Sequence, residues 1–137
     1  MNQGVTWSEI RVRYRETDQM AIAWHGNYIE WFEVARTDWL RGHGLSYREL
    51  ENRGILLPVL RVSCDYARPA RYDDVLVIET KLQSYNGLRL TLSYIVRAQQ
   101  EESIVASGHT EHAFTNAKLH PIRIARSAPE IHRLLEG

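Results

Sequence analysis

One stretch of this sequence combines residue types and spacing that suit acyl chemistry: Thr17-Asp18-Gln19-Met20-Ala21-Ile22-Ala23-Trp24-His25-Gly26-Asn27-Tyr28. A carboxylate stands a few residues upstream of a helix N-terminus, across an apolar connection. Free N–H groups at a helix start can polarise a carbonyl oxygen, and the helix dipole favours negative charge growing there. The apolar connection can keep water from Asp18 and make it more basic. The same Thr17-Asp18 pair is equally suited to capping a turn, a common use of Asp. His25 reads either as a helix-end hydrogen-bonding residue or as part of a site. Trp24, Trp31 and Trp39 read most simply as core or subunit-interface residues.

Other chemistries find less support. His109 and His112 are three apart, a spacing that places them on opposite faces of a strand. His43, His120 and His132 have no suitably spaced acidic or thiol partner, so no metal site is expected. A G-x-S-x-G nucleophile elbow is missing, and Gly44-Leu45-Ser46 reads as a helix cap. The single cysteine, Cys64, falls on the inward side of a strand pattern and behaves there as a small hydrophobe. Gly-rich phosphate loops are absent too.

The elements that must position the Asp18 stretch follow from hydrophobic periodicity. Ile10 to Arg15 alternates apolar and basic residues, a half-buried strand stopped by Glu16-Thr17-Asp18-Gln19. From Asn27 to Arg41, Tyr28, Phe32, Ala35 and Trp39 recur at helical spacing, with Gly42 and Gly44 as stop signals. Ser46 to Asn52 predicts a short helix, capped by Ser46 with Glu49 completing a capping box. Strands follow: Leu60 to Tyr66, Leu76 to Leu82, Leu88 to Val96 and Ile104 to Thr115. Asn86-Gly87 marks a two-residue hairpin turn, and the Leu60, Val62, Cys64, Tyr66 set is expected to face inward. From Lys118 on, the chain reads as a basic, irregular tail with one helical turn near Ile131 to Leu135. The order is strand, long helix, short helix, then four strands: an α+β domain with one helix packed on one face of an antiparallel sheet.

The length of 137 residues suits a single domain over 1–137, with its core at about 9–121 and a C-terminal tail at 122–137. Seventeen basic and seventeen acidic side chains cancel, which argues against a nucleic-acid partner. One cysteine allows no intrachain disulfide, and an intracellular, cytoplasmic address is the natural reading. The N-terminus lacks a signal-peptide pattern, and no window approaches the roughly 20 apolar residues of a membrane span.

The Asp18 segment resembles the active-site segment of the 4-hydroxybenzoyl-CoA thioesterase family of hot-dog proteins. The features that carry the resemblance are Thr17-Asp18, the Met20 to Trp24 stretch, His25 seven residues beyond the Asp, and Asn27-Tyr28 opening the long helix. The helix continuation Trp31-Phe32-Glu33-Val34-Ala35-Arg36-Thr37-Asp38-Trp39-Leu40 and the later Arg68-Pro69-Ala70-Arg71-Tyr72-Asp73-Asp74 also look like that family. Together the likeness runs from about Ile10 to Pro121. Ala21 stands where the family commonly has Gly, which implies a different backbone path for the loop.

The resemblance implies a hot-dog fold, a five-stranded antiparallel sheet wrapped around one long central helix, paired into homodimers or homotetramers with active sites at the dimer interface. It implies an acyl-CoA thioesterase in which Asp18 is nucleophile or general base. The backbone N–H groups of His25 and Gly26 would receive the carbonyl oxygen. Trp24, Asn27 and Tyr28 are the candidates for substrate contact. Arg68, Arg71, Arg89 and Lys118 are candidates for the CoA phosphates, though each reads equally as surface charge. No cofactor is expected beyond the CoA of the substrate itself, and an acyl carrier protein is an alternative thiol carrier. A hot-dog dehydratase and a non-catalytic acyl-ligand-binding or scaffolding protein are the competing classes.

Overall fold

Five strands and four helices, one of them long, make up most of the chain in the computed structural model, which describes residues 5–136. The strands are β1 (Val5–Arg11), β2 (Val59–Tyr66), β3 (Val75–Tyr85), β4 (Arg89–Ala98) and β5 (Ile104–Ala113). The helices are α1 (Asn27–Gly42), α2 (Tyr47–Asn52), α3 (Ile124–Ser127) and α4 (Pro129–Glu136). The sheet order is β1-β3-β4-β5-β2 with every pairing antiparallel, so β1 and β2 form its two edges. This is the hot-dog arrangement, with α1 as the filling.

The apolar stripe of α1 explains the packing. Tyr28, Trp31, Phe32, Ala35, Arg36, Trp39 and Leu40 are buried, the i, i+3, i+4 pattern of a helix with one covered face. They meet Leu76, Ile78, Leu92, Tyr94 and Val96, which alternate along β3 and β4 and are buried in turn. Phe32 stacks on Tyr94 with ring centroids 4.3 Å apart. Gly108 lets Phe32 come this close to β5: a Cβ there would strike the Ser63 carbonyl oxygen and lie 2.7 Å from Phe32 Cε2. Each fully buried large side chain contributes about 1.5–3 kcal/mol.

Several boundaries differ from those the sequence suggested. β1 occupies Val5–Arg11 rather than Ile10 to Arg15, because its partner β3 begins at Val75, opposite Arg11. Beyond it the chain turns, and Tyr14 points outward at 77% exposure instead of continuing the buried face. In β2, Leu60, Val62 and Tyr66 are exposed rather than inward-facing, since α1 runs along β1 and β3 and leaves this edge uncovered. The β3–β4 turn centres one residue later than expected, on Gly87 and Leu88, with the Asn86 N–H donating to the Arg89 carbonyl. Gly87 supplies the φ of +91° that its first central position demands. The segment after Lys118 is no loose tail: α3 and α4 bury Ile124, Ala128, Ile131 and Leu135 in the core. Ser46 caps α2 as its sequence implies, accepting from the Glu49 N–H at 3.1 Å.

Candidate active site

After β1 the chain makes a 3-10 turn at Tyr14–Glu16 and enters a tight loop that ends at α1. Thr17 bridges Ala23, and Ile22 bridges Arg71, so the loop is a small antiparallel flap against the β2–β3 connection. Asp18 folds it. Its N–H donates to the Ile22 carbonyl and its own carbonyl accepts from the Ala21 N–H, both at 2.9 Å. Its Oδ1 accepts from the Met20 N–H at 2.8 Å, an Asx turn. The turn-capping and reactive readings of Asp18 are thus compatible, because Oδ2 accepts no hydrogen bond among the described residues. Ala21 sits at φ +64°, the left-handed region where glycine is at ease. The family's usual Gly therefore marks a real conformational demand, and here Ala meets it under strain.

The loop delivers the chain to α1 with the two amides just before the helix open. The cap residue, Gly26, offers no side-chain hydrogen bond. The Trp24 carbonyl accepts from the Asn27 N–H at 3.0 Å, and the His25 carbonyl accepts from the Tyr28 N–H at 3.3 Å. In a trans peptide the N–H points opposite to the C=O. The N–H groups of His25 and Gly26 therefore point back out of the helix start, and neither has an acceptor among the described residues. The Tyr66 hydroxyl also donates to the His25 carbonyl at 3.0 Å, which fixes the peptide that carries the Gly26 N–H.

Asp18, His25, Tyr28 and Arg68 line a single pocket of about 330 Å³ together with Met20, Ile22, Ala23, Tyr66, Ala67 and Pro69. Its wall is largely apolar, with one carboxylate and one guanidinium. Tyr28 is buried, and that burial, aided by nearby Cys64, Tyr66 and Asp74, pushes its hydroxyl up to about 12, so it stays a neutral phenol. Burial likewise raises the Cys64 thiol, which keeps it protonated and a poor nucleophile. Tyr28 and Tyr66 meet edge to face at 5.2 Å.

The other sequence candidates lie elsewhere within one chain. Asn27 does not line the pocket: it is buried, and its side-chain amide donates to the Glu16 carbonyl at 2.6 Å. The Trp24 ring packs over Gly26, so closely that a Cβ on Gly26 would collide with it, and it does not line the pocket. Arg71 is exposed on the loop beside Arg68, its N–H held by Asp74 at 2.8 Å. Arg89 pairs with Ala113 whereas Tyr66 pairs with Ala106, so Arg89 stands seven residues along the sheet, about 23 Å from the pocket end. Lys118 follows β5 at that same far end. His109 is exposed and His112 buried, opposite faces as their spacing requires. Among the described residues no three His, Cys, Asp or Glu side chains cluster as metal ligands.

Two residues at the site escaped the sequence reading. Tyr66 was visible only as the end of an alternating strand. Glu16 looked like one more polar residue in a stop signal, yet it is buried. Its Oε1 accepts from the Arg13 N–H at 2.7 Å, and its Oε2 from Arg13 Nη2 at 3.2 Å and from the Trp31 indole at 3.1 Å. Burial alone would raise its carboxyl; these hydrogen bonds outweigh that and lower it, so Glu16 is an anion.

Comparison with known proteins is consistent with this geometry. The model of the thioesterase-like superfamily matches residues 12–133. The chain is 32% identical over 96% of both chains to YneP of Bacillus subtilis, provisionally named an acyl-CoA thioesterase. It is 35% identical to the acyl-CoA thioester hydrolase YbgC of Escherichia coli, over 66% of this chain and 68% of that one. Among solved structures, a DHNA-CoA thioesterase from Staphylococcus aureus superposes with a TM-score of 0.92 at 32% identity, covering 96% of this chain and 89% of the other.

Proposed function

The chain belongs to the thioesterase-like superfamily, and from that premise we propose that it is an acyl-CoA thioesterase that cleaves R–CO–S–CoA with water to a free acid and CoA–SH. The observation that carries this reading is that Asp18, with one free carboxylate oxygen, and His25, at the uncapped start of α1, share one largely apolar pocket. Asp18 either adds to the thioester carbonyl or takes a proton from a water that does so. As the carbonyl oxygen gains negative charge, the N–H groups of His25 and Gly26 and the dipole of α1 stabilise it. Collapse of the adduct expels the CoA thiolate, which takes up a proton; where Asp18 itself adds, this leaves an Asp18–acyl anhydride that water then cleaves to the free acid and the Asp18 carboxylate. The route calls for no cofactor beyond the CoA of the substrate.

Tyr28 and Tyr66 contribute the apolar wall for the acyl group, and Arg68 at the same pocket meets phosphate. The reading includes a homodimer formed along β2, or a homotetramer built from such dimers. In its support, β2 is an edge strand exposed on both faces, with Val59, Leu60 and Val62 in solvent, and it runs into the pocket at Tyr66. Antiparallel pairing of two β2 strands about a two-fold axis sets the Val59 end of one copy beside the Tyr66 end of the other. The Arg89 and Lys118 of a second copy would then approach this pocket as further phosphate partners. No helix among the described residues is long and apolar enough to cross a membrane. A CoA substrate and a lone cysteine fit a cytoplasmic enzyme.

The test is thiol release from a panel of short, long and aromatic acyl-CoA esters, run beside the same acyl groups on an acyl carrier protein. Turnover of CoA esters at the higher kcat/KM supports the proposal. Preference for the carrier-protein esters would replace CoA as the carrier. Tight thioester binding with no turnover would overturn the reading in favour of a non-catalytic acyl-binding protein, and hydration of an enoyl thioester in favour of a dehydratase.

A further inference from the structure

We infer that Glu16 is a positioning residue that fixes the distance between Asp18 and the open amides of α1. This inference rests on the hydrolysis proposed for that site.

Five hydrogen bonds converge on Glu16, two residues before Asp18. The carboxylate takes three, from the Arg13 N–H, Arg13 Nη2 and the Trp31 indole on α1. The backbone carbonyl takes two more, from the Trp24 N–H at 2.8 Å and from Asn27 Nδ2 at 2.6 Å. These donors come from the start of the 3-10 turn that follows β1, from the far side of the Asp18 loop and from the first and second turns of α1. One residue therefore ties the chain entering the loop, the chain leaving it and the helix whose amides receive the substrate.

The Thr17–Ala23 and Ile22–Arg71 bridges hold the loop to itself and to the β2–β3 connection rather than to α1. The loop's own hydrogen bonds, Asp18 to Ile22 and Ala21 to Asp18, hold its shape but not its distance from α1. Asp18 reaches no residue of α1 by a hydrogen bond of its own, and Gly26 caps the helix without a side chain. The buried anion is suited to the task, because three donors need acceptor capacity that a neutral amide cannot supply. In Glu16→Gln the new NH₂ group would face donors from Arg13 or Trp31, and the cluster would have to open. An error of about 1 Å between reacting groups can cost on the order of 100-fold in rate.

The experiment measures kcat, KM and Tm for Glu16→Gln, Asn27→Ala and Trp31→Phe on the best acyl-CoA ester. Leu50→Ala, on the buried face of α2, serves as a destabilised control. The expected result is a kcat loss of about 10- to 100-fold for Glu16→Gln and smaller losses for the other two, with KM within about threefold. Leu50→Ala should keep wild-type kcat well below its Tm. A Glu16→Gln enzyme with kcat within twofold of wild type would overturn the inference, as would a kcat loss in Leu50→Ala that matched the same fall in Tm. A second readout does not depend on turnover. The backbone amide resonances of His25 and Gly26 should shift and exchange faster in Glu16→Gln, and unchanged resonances would refute the positioning role. An inactive wild type with perturbed amides would instead count against the proposed hydrolysis.

Discussion

His112 makes the stability of this fold depend on acid in a way that can be worked out in advance. Its ring is fully buried beneath α1, with Nδ1 3.4 Å from the Leu57 carbonyl and Nε2 2.8 Å from Thr110 Oγ1. A carbonyl only accepts, so Nδ1 carries the proton and Nε2 accepts from the Thr110 hydroxyl. Thr110 in turn accepts from Tyr94, whose hydroxyl lies 2.7 Å away and faces the Arg36 guanidinium. Protonating Nε2 would reverse that chain and aim the Tyr94 proton at a cation. Burial first, then Arg36, lowers His112 from 6.5 to about 4. A folded value below the unfolded one means that the unfolded chain binds the proton more readily. The stabilisation is therefore complete above about pH 6.5, shrinks as the pH falls, and is gone near pH 4. At about 1.4 kcal/mol per pH unit this amounts to roughly 3 kcal/mol. Urea unfolding of wild type and His112→Asn at fixed protein concentration, from pH 7.5 to 4.5, should show the wild type losing that much more. Parallel curves between pH 6.5 and 5 would refute the reasoning. If the variant does not fold, a ring titration of His112 by NMR decides the matter: protonation near 6.5 would refute it equally.

Three further outcomes follow from the geometry. Gly108→Ala forces a methyl group against the Ser63 carbonyl and Phe32, and should cost about 2–3 kcal/mol in chemical denaturation. Ala21→Gly relieves a left-handed residue worth about 1–2 kcal/mol against a glycine entropy cost of about 0.5–1, so the variant should be slightly more stable than wild type by the same measurement. Tyr66→Phe removes the hydrogen bond that fixes the His25–Gly26 peptide. With such a bond worth about 1 kcal/mol, kcat in thiol release should fall roughly fivefold to tenfold while KM changes little.

The long helix and the four later strands were legible because a period of 3.6 or 2 recurs in their apolar residues, and all of them except β2 bury a single continuous face. The strand before the site was not. Val12 and Tyr14 continue the alternation of Ile10, but β1 ends at Arg11 where its ladder with β3 ends, which is a tertiary limit invisible in a local pattern. β2 misled for a related reason: Leu60 and Val62 alternate as core residues do, yet no helix covers that edge. α3 and α4 were hidden because only a few residues, Ile124, Ala128, Ile131 and Leu135, reach the core from a basic surface. At the site, Asp18 and His25 stood out by residue type and spacing, and the family resemblance added Tyr28 and Arg68. Glu16 and Tyr66 could not be named, because their importance lies in hydrogen bonds to residues beyond any local pattern, Glu16 with Trp24, Asn27 and Trp31 and Tyr66 with the His25 carbonyl. Asn27 was legible as a residue of the helix start, but its hydrogen bond to the Glu16 carbonyl was not, since one amide side chain reads the same whether it holds the chain or a substrate.

The account stands most directly on Asp18→Asn. Asn keeps an oxygen for the Met20 N–H and hence the loop, but it can neither attack a carbonyl nor accept a proton from water. We expect kcat for the best acyl-CoA ester to fall by about 10²–10⁴-fold, with binding of a non-hydrolysable thioether analogue and Tm close to wild type. Wild-type turnover in that variant, or in Asp18→Ala, would contradict it.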